Sequence, residues 1–237
     1  MGDTELPYTV ARSRRRRRTV AFGVDPGPVL TVRAPQSESL RSIEELASEN
    51  ARWILRRIDE LRERGISAEP RQYVSGEVIP YLGRRYRLDV VPALGGVAHC
   101  ALRRGFMELY LPVAFGPEDA VESGKSAITA WFESRAAAKF PERIAIWSRK
   151  MKVQPGRIIV TNPRHRWGSC DVRNNIRLNW RILMAPLSIV DYVVAHELAH
   201  VVHKNHGPRF WRKLEKAMPD YRERRDTLRD IGQELTL

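Results

Sequence analysis

The sequence predicts an α+β protein, with β-hairpins and a long helix in its first half and a helical second half organised around one histidine-bearing helix. Three observations predict it. Short extended runs separated by Gly and Pro turns recur through residues 8–113. Apolar residues recur at helical spacing in 40–64, 120–150 and 189–202. Gly116-Pro117 separates the two patterns, so residues 1–116 are expected to form a β-rich region and 117–237 a second domain.

Taken in order, Tyr8 to Val24 reads as an extended segment, turning at Asp25-Pro26-Gly27-Pro28 into Val29–Arg33, a β-hairpin whose first strand carries Arg14 to Arg18. A nucleic-acid-binding arm is the alternative for that run. Leu40 to Arg64 has one apolar stripe through Ile43, Leu46, Trp53, Ile54, Ile58 and Leu61, and Gly65 supplies a stop. Glu77–Gly83 turning into Tyr86–Val91, and Ala98–Leu102 turning at Arg103-Arg104-Gly105 into Met107–Val113, read as two further hairpins, with Tyr81 and Leu82 as strand-end packing and His99 as a structural residue of an apolar strand. Ala120 to Lys139 is expected to be a helix buried through Ala127, Ile128, Trp131, Phe132 and Ala136, with a break before Pro141–Lys150. Arg157–Val160 and Ile176–Trp180 read as strands flanking the turn Val172-Arg173-Asn174-Asn175. Ser188 and Asp191 have capping-box spacing at the start of the next helix.

That helix carries the chemistry. His196 and His200 are four residues apart, hence neighbours on one helical face, and two imidazoles so placed reach one metal ion at about 2.0–2.1 Å each. Glu197 projects beside them, where a carboxylate takes a proton from a water on the ion without ligating it; this is the mechanical content of the His-Glu-x-x-His pattern. A catalytic zinc needs a third protein ligand and an open position. His206 sits at the helix-breaking corner Asn205-His206-Gly207-Pro208 and can swing back over the helix, while His203 is its rival. Four of the six histidines fall between His196 and His206, which separates this match from a chance one. Three imidazoles suit zinc best, with iron, cobalt, nickel and manganese compatible. Cys100 and Cys170 lack the close second cysteine of a zinc ribbon and read as small buried thiols.

The run Arg166-Trp167-Gly168-Ser169-Cys170, then Ile176-Arg177-Leu178-Asn179-Trp180, then Tyr192 to His200, Asn205-His206, Phe210-Trp211 and Pro219-Asp220-Tyr221, resembles the YgjP-like metal-dependent hydrolases, which are related to SprT-type and other zincin peptidases. The blocks occur in the right order from about Thr161 to Leu228. The resemblance implies a zincin-like core, Zn2+ ligands at His196, His200 and His206, and a general base at Glu197. Members of that family have also been linked to pyrophosphatase activity on UTP. The substrate is therefore expected to be a peptide or a nucleotide, with Arg164, Arg166 and Ser169 as candidate substrate-binding residues and Gly168 letting backbone approach the substrate. Phe210, Trp211 and Leu214 are expected to pack under the site; Tyr221 is expected to pack, with a hydroxyl aimed at the cleft to stabilise an oxyanion as the alternative.

Composition sets the outer bounds. The 43% hydrophobic and 29% charged residues are those of a globular chain, and no apolar run is long enough to span a membrane. The two cysteines and the arginine-rich start without an apolar core lead to a cytoplasmic expectation. A net charge of +13 favours polyanions, so a nucleic-acid-binding module with structural zinc is the rival from outside enzymology. Oligomeric state is not fixed by the sequence.

Overall fold

A computed structural model describes residues 8–13, 19–25, 29–63, 71–163, 166–232 and 235–237. The chain separates into two compact units on either side of residue 70.

In the first unit, strands β1 (Tyr8–Ser13), β2 (Ala21–Asp25) and β3 (Val29–Pro35) form a sheet in the order β1-β3-β2. The expected hairpin is β2 with β3, paired antiparallel, whereas β1 is a separate strand running parallel to β3. Arg14 to Arg18 and the turn residues Pro26 to Pro28 lie outside the described residues. The single helix expected over 40–64 is two helices, α1 (Leu40–Glu49) and α2 (Ala51–Glu63). Asn50 interrupts them: its side-chain amide and its backbone N–H both donate to the Leu46 carbonyl, a local bond that competes with helix continuation. Ile43, Ile54 and Ile58 are buried with Val24, Leu30, Val32 and Ala34, but Trp53 stays exposed.

The second unit joins strands and helices in one core. Strands β4 (Val78–Tyr81), β5 (Arg84–Ala93), β6 (His99–Arg103) and β7 (Phe106–Pro112) form a sheet in the order β4-β5-β7-β6, with both expected hairpins antiparallel and β5 parallel to β7. Helix α3 (Pro117–Met151) covers this sheet. Ile79, Leu88, Met107 and Leu109 share a core with Ala127, Ile128, Phe132 and Ala136, so Gly116-Pro117 is the start of a helix inside a compact unit rather than a boundary between two. Tyr81 packs edge-on against Trp131 at 4.9 Å, the strand-end role expected of it. His99 instead sits exposed and stacks on Tyr110 at 4.5 Å.

The break expected before Pro141 is absent. Proline inside a helix costs about 3 kcal/mol or more, and Phe140, Ile144 and Trp147 offset it by continuing the buried stripe across the position. Downstream, β8 (Ile158–Thr161), β9 (Gly168–Cys170) and β10 (Ile176–Asn179) form a second sheet in the order β8-β10-β9. A 3-10 turn at Trp180–Met184 leads into α4 (Leu187–Val202), followed by α5 (Pro208–Ala217) and α6 (Tyr221–Ile231).

Helix α4 is the centre of this unit. It is buried nearly all round, from Ile189 to Ala199, between α3, β9, β10, α5 and α6. The expected capping box does not form. Pro186 occupies the N-cap without a side-chain bond, and the Asp191 carboxylate is taken by Arg143 of α3, whose Nε and terminal nitrogen donate to its two oxygens at 2.7 and 2.8 Å. Both partners are largely buried, so removing one strands the other's charge. Arg143→Met is expected to lower unfolding stability by about 3 kcal/mol, read by denaturant titration; a loss under about 1 kcal/mol, the scale of an exposed pair, would contradict it.

Candidate metal centre and active site

The last two turns of α4 bring His196, Glu197 and His200 to the surface of the core, and the corner between α4 and α5 returns His206 over them. Helix α4 ends at Val202, because His203 turns extended (φ −123°, ψ 99°) while its N–H still closes on the Ala199 carbonyl. Gly207 and Pro208 then start α5 as N-cap and first residue. This places the Nε2 atom of His206 at 3.0 Å from that of His196 and at 3.1 Å from that of His200.

The ligand atoms of the three rings all lie within 4.8 Å of one another, a spacing that fits a single ion, since tetrahedral bonds of about 2.0–2.1 Å put donor atoms roughly 3.3 Å apart. His200 Nδ1 lies 2.9 Å from the His203 carbonyl, which can only accept, so Nδ1 carries the proton and Nε2 presents a lone pair to the shared point. Burial and the neighbouring His200 and His206 push His196 down to about 3, and burial lowers His200, so both stay neutral as a metal ligand must be. His196, His200 and His206 are the group of the described residues that can hold a metal ion. His203 serves the group through its backbone rather than its ring.

Phe210 of α5 floors the cluster, with its ring centroid 4.9, 4.5 and 4.8 Å from those of His196, His200 and His206. Trp211 stacks on His206 at 5.7 Å and on Tyr221 at 5.5 Å. Phe210 and Leu214 are fully buried, the packing expected under the site. Tyr221 is also buried, and its hydroxyl accepts from Arg222, so it packs rather than facing a cleft.

Glu197 is 6% exposed, and burial raises its carboxyl to about 7 against the opposing pull of Arg166. What encloses it is Gly168. A Cβ built on Gly168 would stand 2.6 Å from Glu197 Oε1 and 2.7 Å from Cγ. The glycine expected to admit substrate therefore admits the carboxylate. Its sequence signal is the same in either case, since a glycine marks a close approach without naming the visitor.

Strand β9 ends its sheet. Asn179 N–H donates to the Trp167 carbonyl and Asp171 N–H to the Asn175 carbonyl, so the alternation of an antiparallel pair turns the N–H and C=O of Gly168 and Cys170 away from β10. Among the described residues no strand takes that outer edge. Ser169, a candidate substrate-binding residue, lies between the two, and strand alternation sets its side chain on the face opposite Glu197. Arg166 is exposed near Glu197; Arg164 lies outside the described residues.

Residues 18–231 match the family described as YgjP-like, metallopeptidase domain, and the chain belongs to that family of metal-dependent hydrolases. Two solved structures are similar to part of it. The metallopeptidase zymogen abylysin of Pyrococcus abyssi is 20% identical, with a TM-score of 0.36 over 38% of this chain and 90% of its own. The metallopeptidase zymogen jannalysin of Methanocaldococcus jannaschii is 19% identical, with a TM-score of 0.35 over 41% and 98%. No curated protein matches the chain. No helix of the described residues is long and apolar enough to cross a membrane.

Gly168→Ala is expected to leave metal content unchanged while lowering kcat/KM by about a hundredfold, because a displacement of roughly 1 Å in a catalytic group has that effect. A variant as active as the parent would mean that the Glu197 position is not set by this contact.

Proposed function

We propose that the chain is a zinc-dependent peptide hydrolase in which His196, His200 and His206 hold the ion and Glu197 takes the proton from the attacking water. The observation that carries the peptide reading is the outer edge of β9, which no strand takes among the described residues. Gly168 and Cys170 offer backbone donors and acceptors along it, and Gly168 is packed against Glu197. An extended peptide adds to such an edge as a further strand, held by main-chain hydrogen bonds that tolerate many side chains. A scissile amide bound that way passes close to the carboxylate. His196, His200 and His206 would hold a zinc ion there, which when bound would supply Lewis acidity for the bound water and the substrate oxygen.

The chain's own residues supply the rest. Enclosure by Gly168 fixes the Glu197 carboxylate, and burial gives it the proton affinity of a group that both accepts a proton and returns it to a leaving amine. The neutral rings of His196 and His200 keep their lone pairs at the pH where Glu197 works. No further His, Cys, Asp or Glu joins the three imidazoles among the described residues, which supports an open coordination position over a purely structural ion.

A nucleoside triphosphate is the second reading. Arg166 beside the carboxylate and the net charge of +13 favour it.

The deciding experiment incubates zinc-loaded protein with casein and with a panel of nucleoside triphosphates. Casein cleavage without pyrophosphate release is expected, falling by a factor on the order of 10²–10⁴ in Glu197→Gln while zinc stays bound. Pyrophosphate release without casein cleavage would replace the peptide by the nucleotide. For the ligand set, His206→Ala is expected to lower zinc retention on dialysis against a chelator; retention equal to the parent would remove His206 from the site.

A further inference from the structure

His206 differs from the other two imidazoles in what holds it. His196 and His200 are fixed by a buried helix, but His206 sits on the short link between the end of α4 at Val202 and the start of α5 at Pro208. Lys204, in the middle of that link, reaches across to the turn between β9 and β10. Its ammonium donates to the Asn174 Oδ1 at 2.7 Å, to the Asp171 carbonyl at 2.9 Å and to Cys170 Sγ at 3.6 Å. Three acceptors meet the three donors an ammonium has.

The turn is built to receive it without depending on it. The Asp171 carboxylate accepts from the backbone N–H groups of Arg173 and Asn175, from the Asn175 amide and from Arg177, bonds that hold its carboxyl down at about 2. Asn174 adopts a positive φ of 62°, a left-handed conformation that asparagine tolerates. There its amide oxygen faces Lys204.

We propose that Lys204 is a positioning residue for the metal centre: locked into the Asp171–Asn174 turn, it holds the His203–His206 link so that the His206 imidazole stays on the ion. The link is thereby tied to β9, the strand that encloses Glu197. The third ligand and the general base then share one frame although they come from different elements. This inference rests on the proposed metal site.

The test uses Co2+ as probe and the full chain. Lys204→Met removes the ammonium, and Asn174→Gly removes its shortest acceptor while glycine keeps the positive φ available. Each variant is expected to bind Co2+ about tenfold more weakly than the parent, the scale for partners that orient a metal ligand. Each should also lose intensity in the visible bands of four-coordinate cobalt as His206 leaves the ion. The double variant should bind no more weakly than the weaker single one, because both changes break the same contact. Thermal unfolding of the metal-free proteins, expected to match, separates this from a general loss of fold. Parental affinity and spectrum in both single variants, additive losses in the double one, or metal-free variants that melt well below the parent would overturn the clamp while leaving the metal site standing. A parent chain that takes up no Co2+ would overturn the metal site and the clamp with it.

Discussion

The second unit is arranged around a single geometry: the His206 Nε2 lies 3.0 Å from that of His196 and 3.1 Å from that of His200, with the buried carboxylate of Glu197 next in sequence to His196. A helix alone satisfies two-thirds of it, since the i, i+4 spacing of His196 and His200 is a property of helical geometry. The remaining third has to be brought in from another direction. It arrives through the α4–α5 corner, where His203 leaves the helical conformation and Gly207-Pro208 begins a new helix. Phe210, the first buried residue of that helix, contacts all three rings and fixes how closely the corner closes.

Burial does two jobs with one set of contacts. Enclosing α4 on nearly all sides keeps His196 and His200 neutral and raises the proton affinity of Glu197, so desolvation that would be a plain cost for a surface helix shifts each group in the direction the proposed chemistry needs. The enclosing partners also have to be small in the right place. Gly168 is the clearest case, because even a methyl group there would overlap the carboxylate. Farther from the histidines, Arg143 and Asp191 hold α3 against α4 through a bidentate pair between residues 48 apart in sequence.

What the sequence made legible follows the range of the interaction. The i, i+4 spacing of His196 and His200 on α4, the helix-breaking corner, the apolar stripe of α3 and the hairpins β4–β5 and β6–β7 are all local patterns, and each appears where its pattern placed it. The departures are places where a distant partner or a competing local bond decides. Asp191 has the spacing of a capping residue but is claimed by Arg143. Pro141 has the signature of a helix break but lies on a stripe whose burial carries the helix through. Asn50 divides a continuous apolar pattern by bonding back to Leu46. The grouping of β4 to β7 with α3 depends on which core the strands share, and a Gly-Pro pair marks a helix start as readily as a domain boundary. Lys204 carried no motif at all, since its role depends on the distance between two loops that are some 30 residues apart in sequence.

The convergence of His196, His200 and His206 is tested most directly by X-ray absorption at the zinc edge of the zinc-loaded protein. A first shell containing three imidazole nitrogens at about 2.0–2.1 Å with one further light donor is expected, reduced to two imidazoles in His206→Ala. A sulfur in that shell, or the same three imidazoles in the variant, would contradict the ligand set on which the assignment as a hydrolase stands.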